Sequence, residues 1–188
     1  MKAIILAAGL GTRMKPLTDH IPKALVAFNG VPLLDGVISR LFKSGIEAII
    51  VNIHHFPDQV IRFLHDKQYY GGRVVVSDET DQLLDTGGAL IQAGWFLNDG
   101  NPFLVHNVDI YTNLNIRQLI EEHIRGNAMI TIAVKERPTS RPLLFDKDLR
   151  LVGWKNNETG EEIIIHKDRQ IMYAYGNSCI QVIQPEFF

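Results

Sequence analysis

An apolar run at the start of the chain, Ala3 to Ala8, leads straight into a glycine-rich basic loop instead of a helix, in the stretch MKAIILAAGLGTRMKPLTDHIPKAL. Short apolar runs of this kind read as buried strands. The loop after it holds Gly9 and Gly11, which can adopt positive φ and let backbone N–H groups approach an anion. Thr12, Arg13, Lys15 and Lys23 follow, with Pro16 and Pro22 stiffening the segment between them. A strand that feeds such a loop suits a polyanion such as a triphosphate, although a plain strand-to-helix turn with cations for solubility fits the same composition.

The string as a whole is more specific than its glycines. GLGTRMKPLT followed by PKAL resembles the G-x-G-T-R-x-x-P-L-T and P-K-x-L signature of the sugar-1-phosphate nucleotidyltransferases. The resemblance implies nucleotide contacts from Leu6, Ala7, Ala8, Gly9, Gly11 and Thr12, with Arg13 on the departing phosphates and Lys23 on the phosphates nearest the reacting centre. It also implies a Rossmann-like three-layer α/β/α domain with a mixed, mainly parallel sheet.

The rest of the chain is consistent with that class. Its 188 residues, 46% hydrophobic and 21% charged with a formal charge of −2, fit one soluble domain over 1–188 with no general basic excess for nucleic acid. Cys179 is the single cysteine, no zinc-type spacing occurs, and no apolar stretch is long enough for a membrane span, so cytoplasm is the default compartment. The N-terminus also lacks the layout of a signal peptide.

Pro32 opens a helical pattern through Leu33, Leu34, Val37, Ile38, Leu41 and Phe42 that Gly45 stops. A β-branched run over Ile46 to Ile53 then completes a strand–helix–strand crossover. A helix over Phe56 to Lys67, a turn at Tyr69 to Gly72 and a strand over Arg73 to Ser77 continue the alternation. His54 and His55, if on a strand, face opposite ways and make a poor metal pair.

In SDETDQLLDTGGALIQAGWFL, Thr86, Gly87 and Gly88 precede a helical run, with Asp85 or Thr86 in position to cap it. LDTGGA also resembles the family's L-x-T-G-G segment, which implies that Thr86, Gly87 and Gly88 approach the nucleotide base. Asp109 follows a strand over Pro102 to His106. Ligands in open α/β sheets collect at that end of the strands, so Asp109 is expected to meet the glycine-rich loop.

The resemblance gives Asp109 the catalytic magnesium, although Asn107-Val108 replaces the family's usual residues there. A capping or solvated aspartate is the plain alternative. A helix over Asn115 to Arg125 and a strand over Ala128 to Val134 close a nucleotide-binding half at about residue 135. Short strand pieces at Pro142–Phe145, Leu149–Trp154, Glu162–Ile165, Ile171–Ala174 and Cys179–Ile183 then suggest hairpins, forming an acceptor-sugar half over 136–188. Lys135 and Lys155 are its candidate sugar-phosphate cations, while Arg137 and Arg141 read as a solvated basic loop.

The family's E-K-P segment is absent, as is the W-x-D-x-G-T segment whose aspartate is the second metal ligand. That leaves open a truncated product, a replacement ligand, or a non-catalytic nucleotide-sensing relative. The activity implied is transfer of a nucleotidyl group from a nucleoside triphosphate to a sugar 1-phosphate with release of pyrophosphate. The compact length and the LDTGGA segment resemble those of enzymes that uridylylate N-acetylmuramate 1-phosphate or guanylylate mannose and heptose 1-phosphates, and a homo-oligomer is implied by the family's habit. A dinucleotide oxidoreductase fits poorly, because the third glycine of G-x-G-x-x-G is missing and no acidic residue ends the second strand.

Overall fold

The computed structural model describes all 188 residues. They group into two compact units, Met1–Thr131 with Gln181–Phe188, and Ile132–Ile180. The expected halves divide at 135/136, whereas here the last residues of the chain return to the first unit.

In the first unit, the apolar run forms β1 (Lys2–Leu6), and the tight pair β2 (Ala27–Phe28) and β3 (Val31–Pro32) lies between it and α1 (Leu33–Lys43). The β2–β3 pair was not anticipated. Its signal is Asn29-Gly30, both with positive φ (52° and 78°), the turn chemistry of a two-residue hairpin. Next come β4 (Ala48–Ile53), α2 (Pro57–Asp66), the single turn α3 (Tyr69–Gly72), β5 (Val74–Asp78), α4 (Asp85–Gln92), the single turn α5 (Gly94–Leu97), β6 (Phe103–Asn107) and α6 (Ile116–Gly126). No helix is long and apolar enough to cross a membrane.

Strand order is β6-β1-β4-β5, and the pairs β1–β4, β1–β6 and β4–β5 are all parallel. This is the expected crossover sheet. Alternation along the strands gives two buried faces, as a parallel sheet requires. On one, Ile4, Ile50, Phe103 and Val105 pack with Leu90, Ala93 and Leu97 of α4 and its following turn, and Ile183 joins them. The other carries Ala3, Ile5, Ile49, Val51 and Leu104, and α1 contributes buried Leu34, Val37, Ile38 and Leu41 to the core.

The second unit is antiparallel. It contains most of β7 (Ile130–Lys135), β8 (Leu143–Phe145), β9 (Leu151–Lys155), β10 (Glu162–Ile164) and the first part of β11 (Tyr173–Ile183). β9 pairs with both β8 and β10, and β8 pairs with β11 from Tyr173↔Phe145 to Tyr175↔Leu143. The two strand pieces expected at Ile171–Ala174 and Cys179–Ile183 are therefore one strand. Gly176-Asn177-Ser178 looks like a turn in sequence, but it makes a kink instead: Cys179 has φ of 56° and its N–H donates to Asn177 Oδ1 at 2.7 Å.

His106 sits fully buried on β6. Its Nδ1 lies 2.7 Å from the Asn107 carbonyl, while Nε2 has no partner. Burial pushes the imidazole down to about 4, with the Arg40 charge adding to the shift and the Asn107 carbonyl and Asp109 opposing it. Between about pH 6.5 and pH 4 the unfolded chain thus takes up a proton at this residue that the folded chain refuses, so folding stability falls as pH falls through that window. Burial shifts His123 in the same direction. The contribution of His106 is of order 3 kcal/mol over the window. Urea midpoints measured from pH 7 to pH 4 should fall steeply for the natural chain and less steeply for a His106→Leu variant.

Candidate functional site

The parallel register aligns Asn107, Leu6, Asn52 and Ser77 in one row at the carboxyl edge of the first unit's sheet. Segments leaving β1, β4, β5 and β6 must therefore emerge side by side, the arrangement that makes this edge the usual ligand site of an open α/β sheet. Two adjoining hollows lie there. One, of about 190 Å³, is lined by Leu6, Ala8, Gly9, Lys23, Asn52, Glu79, Leu83, Asp85, Thr86, Asn107, Val108 and Asp109. The other, of about 390 Å³, is lined by Gly9 to Met14 together with Lys23 and Asp109.

The glycine-rich loop holds its shape through its own backbone. Gly11 has φ of 66°, its carbonyl accepts from Met14 N–H at 2.8 Å and from the Thr18 hydroxyl at 2.8 Å, and a Cβ there would meet Thr18 Cγ2 at 2.8 Å. Glycine is thus required at Gly11 by both dihedral and space. Gly9 differs from expectation: its φ is not positive and a Cβ would meet nothing, so its lack of a side chain serves the open wall common to both hollows. Thr12 and Arg13 line the larger hollow, with Arg13 exposed, while Lys15 is turned to Asp19 at 3.3 Å.

Lys23 opens a 3₁₀ turn after Pro22, and its ammonium forms a close ion pair with the Asp109 carboxylate. Asp109 is held at the tip of a tight turn, in which Val108 N–H donates to the Leu6 carbonyl at 3.1 Å and Ile110 N–H to the Asn107 carbonyl at 3.3 Å. Arg40 secures the far end of this loop through the Leu114 carbonyl at 2.5 Å. The expected meeting of Asp109 with the glycine-rich loop is what the geometry shows. No group of three or more His, Cys, Asp or Glu side chains converges here as a ready-made metal cage. A lone carboxylate is still compatible with magnesium, which commonly takes one or two carboxylates together with substrate phosphates and retained waters.

Of the LDTGGA residues, Thr86 lines the smaller hollow, while Gly87 and Gly88 line neither. α4 begins at Asp85 and neither Asp85 nor Thr86 caps it. Asp85 instead adopts φ of 54°, a region that aspartate tolerates better than most side chains, and faces the hollow. Gly88 is needed for close packing, since a Cβ there would lie 2.8 Å from Leu84 Cβ. Ala7 contributes its N–H, which donates to Asn52 Oδ1 at 2.6 Å. His54 lies beyond the end of β4 and uses Nδ1 on the Glu79 carbonyl at 2.6 Å, so the question of opposite strand faces does not arise. Lys135 and Lys155 belong to the second unit, at the ends of β7 and β9, and line neither hollow.

Asn52, Glu79, Leu83 and Asp85 were not anticipated as site residues. A signal existed for the first two: a polar residue ending a β-branched run, and an acidic cluster directly after the next strand.

The family model described as Nucleotidyl transferase matches residues 2–145. An N-acetylmuramate alpha-1-phosphate uridylyltransferase of Caulobacter vibrioides is 45% identical over 109 residues, 57% of this chain and 45% of that protein. The protein of the same name from Neisseria meningitidis is 36% identical over 161 residues, 80% of this chain and 68% of that one. A probable mannose-1-phosphate guanylyltransferase of rice (Oryza sativa subsp. japonica) is 33% identical over 153 residues, 79% of this chain and 42% of that protein. The chain thus spans from under half to about two thirds of the length of these relatives. Among solved structures, HddC from Yersinia pseudotuberculosis superposes with a TM-score of 0.77 at 25% identity, covering 98% of this chain and 77% of that one. A match over residues 2–145, carried on the expected mixed sheet and glycine-rich loop, places the chain in the nucleotidyl transferase family.

Proposed function

We propose that the chain transfers a nucleotidyl group from a nucleoside triphosphate, GTP or UTP, to a sugar 1-phosphate, releasing pyrophosphate and forming a nucleotide-activated sugar. The observation that carries this reading is the wall common to both hollows: Gly9, Lys23 and Asp109 line each of them. A triphosphate laid along Gly9 to Met14, with its nucleoside in the smaller hollow, brings its α-phosphorus to Lys23 and Asp109. The names of the uridylyl- and guanylyltransferase relatives support the choice of nucleotide and acceptor class.

In the reaction, an oxygen of the sugar phosphate forms a bond to the α-phosphorus as the bond from that phosphorus to the bridging oxygen of pyrophosphate breaks. No protein nucleophile is needed. Alignment of two anions and neutralisation of their charge supply most of the catalysis in phosphoryl-type transfer. Arg13 and the loop backbone hold the departing β and γ phosphates, and Lys23 offsets charge near the α-phosphate. Asp109 is the residue that would hold magnesium, which when bound supplies further neutralisation of phosphate charge.

The test is pyrophosphate release from the purified chain with magnesium, each nucleoside triphosphate in turn, and a panel of sugar 1-phosphates. Release with a specific pair supports the transferase. Nucleotide binding with no release for any pair overturns the catalytic reading in favour of a binding module.

Arg13→Ala and Lys23→Ala should each lower turnover by about 10²-fold or more while the unfolding midpoint changes little, since Arg13 is exposed and Lys23 pairs at a partly exposed position. Near-natural rates in both would remove the phosphate-neutralising role. Asp109→Asn should cost a similar factor, and a magnesium titration should not restore the rate; full recovery at high magnesium would show that Asp109 is not the metal's carboxylate.

A further inference from the structure

The charge at the two ends of the site is arranged differently. Lys23 and Asp109 line both hollows, Arg13 lines only the larger one, and Asp85 and Glu79 line only the smaller one, Glu79 being only 3% exposed. Both Glu79 carboxyl oxygens act as acceptors: Oε1 takes the Asn52 amide N–H at 2.9 Å, and Oε2 lies 3.5 Å from Leu84 N. Its backbone is fixed as well, since Glu79 N–H donates to the Ile53 carbonyl at 2.9 Å and its own carbonyl meets His54 Nδ1 at 2.6 Å.

Asn52, also 3% exposed, has no freedom to flip. Its Oδ1 accepts from Ala7 N–H at 2.6 Å and its Nδ2 donates to Glu79, so reversing the amide would set donor against donor and acceptor against acceptor. One buried amide therefore ties the backbone at the mouth of the glycine-rich loop to the carboxyl group on the opposite wall.

A carboxyl acceptor at that wall repels phosphate and suits a ring edge rich in N–H donors. Guanine offers a ring N–H with an amino donor beside it and uracil a ring N–H, whereas adenine and cytosine have an exocyclic amino donor beside a ring nitrogen that presents a lone pair to the carboxyl oxygen. We propose that Asn52 is a positioning residue for base selection: by holding Oε1, it fixes Glu79 with acceptor character turned to the smaller hollow, so that triphosphates of bases with a ring N–H on that edge are favoured. This rests on the reading that a nucleotide occupies the site.

Equilibrium binding of GTP, UTP, ATP, CTP and inorganic tripolyphosphate to the natural chain and to Asn52→Ala tests it. The natural chain should prefer GTP or UTP to ATP and CTP. In Asn52→Ala that preference should shrink about tenfold, the size of one charged-group hydrogen bond, while tripolyphosphate binds as before. The paired exchange Asn52→Asp with Glu79→Gln keeps a hydrogen bond between the two positions with donor and acceptor swapped and leaves an amide oxygen for the hollow. It should retain most of the preference.

If the natural chain discriminates among bases and Asn52→Ala discriminates equally well, the positioning role is wrong and the nucleotide site stands. If Asn52→Ala weakens tripolyphosphate as much as the nucleotides, Asn52 is a structural brace and the proposal falls. If the natural chain binds no nucleotide at all, both readings fall together.

Discussion

The site depends on the parallel register of the sheet. Because β1 is flanked by β4 and β6 with Leu6 opposite both Asn52 and Asn107, the chain leaves these strands at the same height. The glycine-rich loop, the Asn52 amide, the Glu79 segment and the Asp109 turn are separated by dozens of residues in sequence, yet they need no long connections to meet. Burial of the strands on both faces keeps this register, since Ile4 and Ile50 pack with Leu90 and Phe103 on one side while Ile5, Ile49 and Val51 are fully buried on the other. Sliding any of these strands would expose apolar surface worth about 25 cal/mol per Å².

On that frame the polar groups sort by how their charge is balanced. Asp109 is compensated by Lys23 at a partly exposed position, so a phosphate or a cation can exchange with either partner at modest cost. Glu79 is almost fully buried and is held by an amide and a backbone N–H, groups that cannot leave. The Lys23–Asp109 pair shared by both hollows is electrostatically adaptable, whereas Glu79 in the smaller one is fixed. That division suits the nucleotide proposed for the site, whose phosphates would change bonding while its base stays in place.

Much of this was legible in the sequence where local chemistry decides the outcome. Gly11 sits at positive φ and Asp109 follows its strand, as read from the residues. Readings failed where tertiary contacts override a local signal. Gly176-Asn177-Ser178 has turn composition, but β11 runs through it, with its first residues, Tyr173 to Tyr175, paired to β8. Asp85 has N-cap chemistry, but the helix begins one residue too early for it to cap. Gly88, expected near the base, has a packing role as well, since a Cβ there would meet the Leu84 side chain.

The residues that escaped notice share a cause. Asn52 bonds to partners 45 and 27 residues away, and neither contact can be foreseen without the strand register. A shift of one residue in β4 would turn Asn52 to the other face and put Ile53 or Val51 in its place, since side chains alternate along a strand. Ala7 N–H would then lose its acceptor and Glu79 its donor, each a buried polar group left unpaired at a cost of about 1–3 kcal/mol. The network therefore penalises misregister in addition to lining the hollow: the same amide that orients the carboxyl group also reports that β1, β4 and the segment after β5 have met correctly. Selection for an ordered site and selection for a correctly paired sheet act on one side chain.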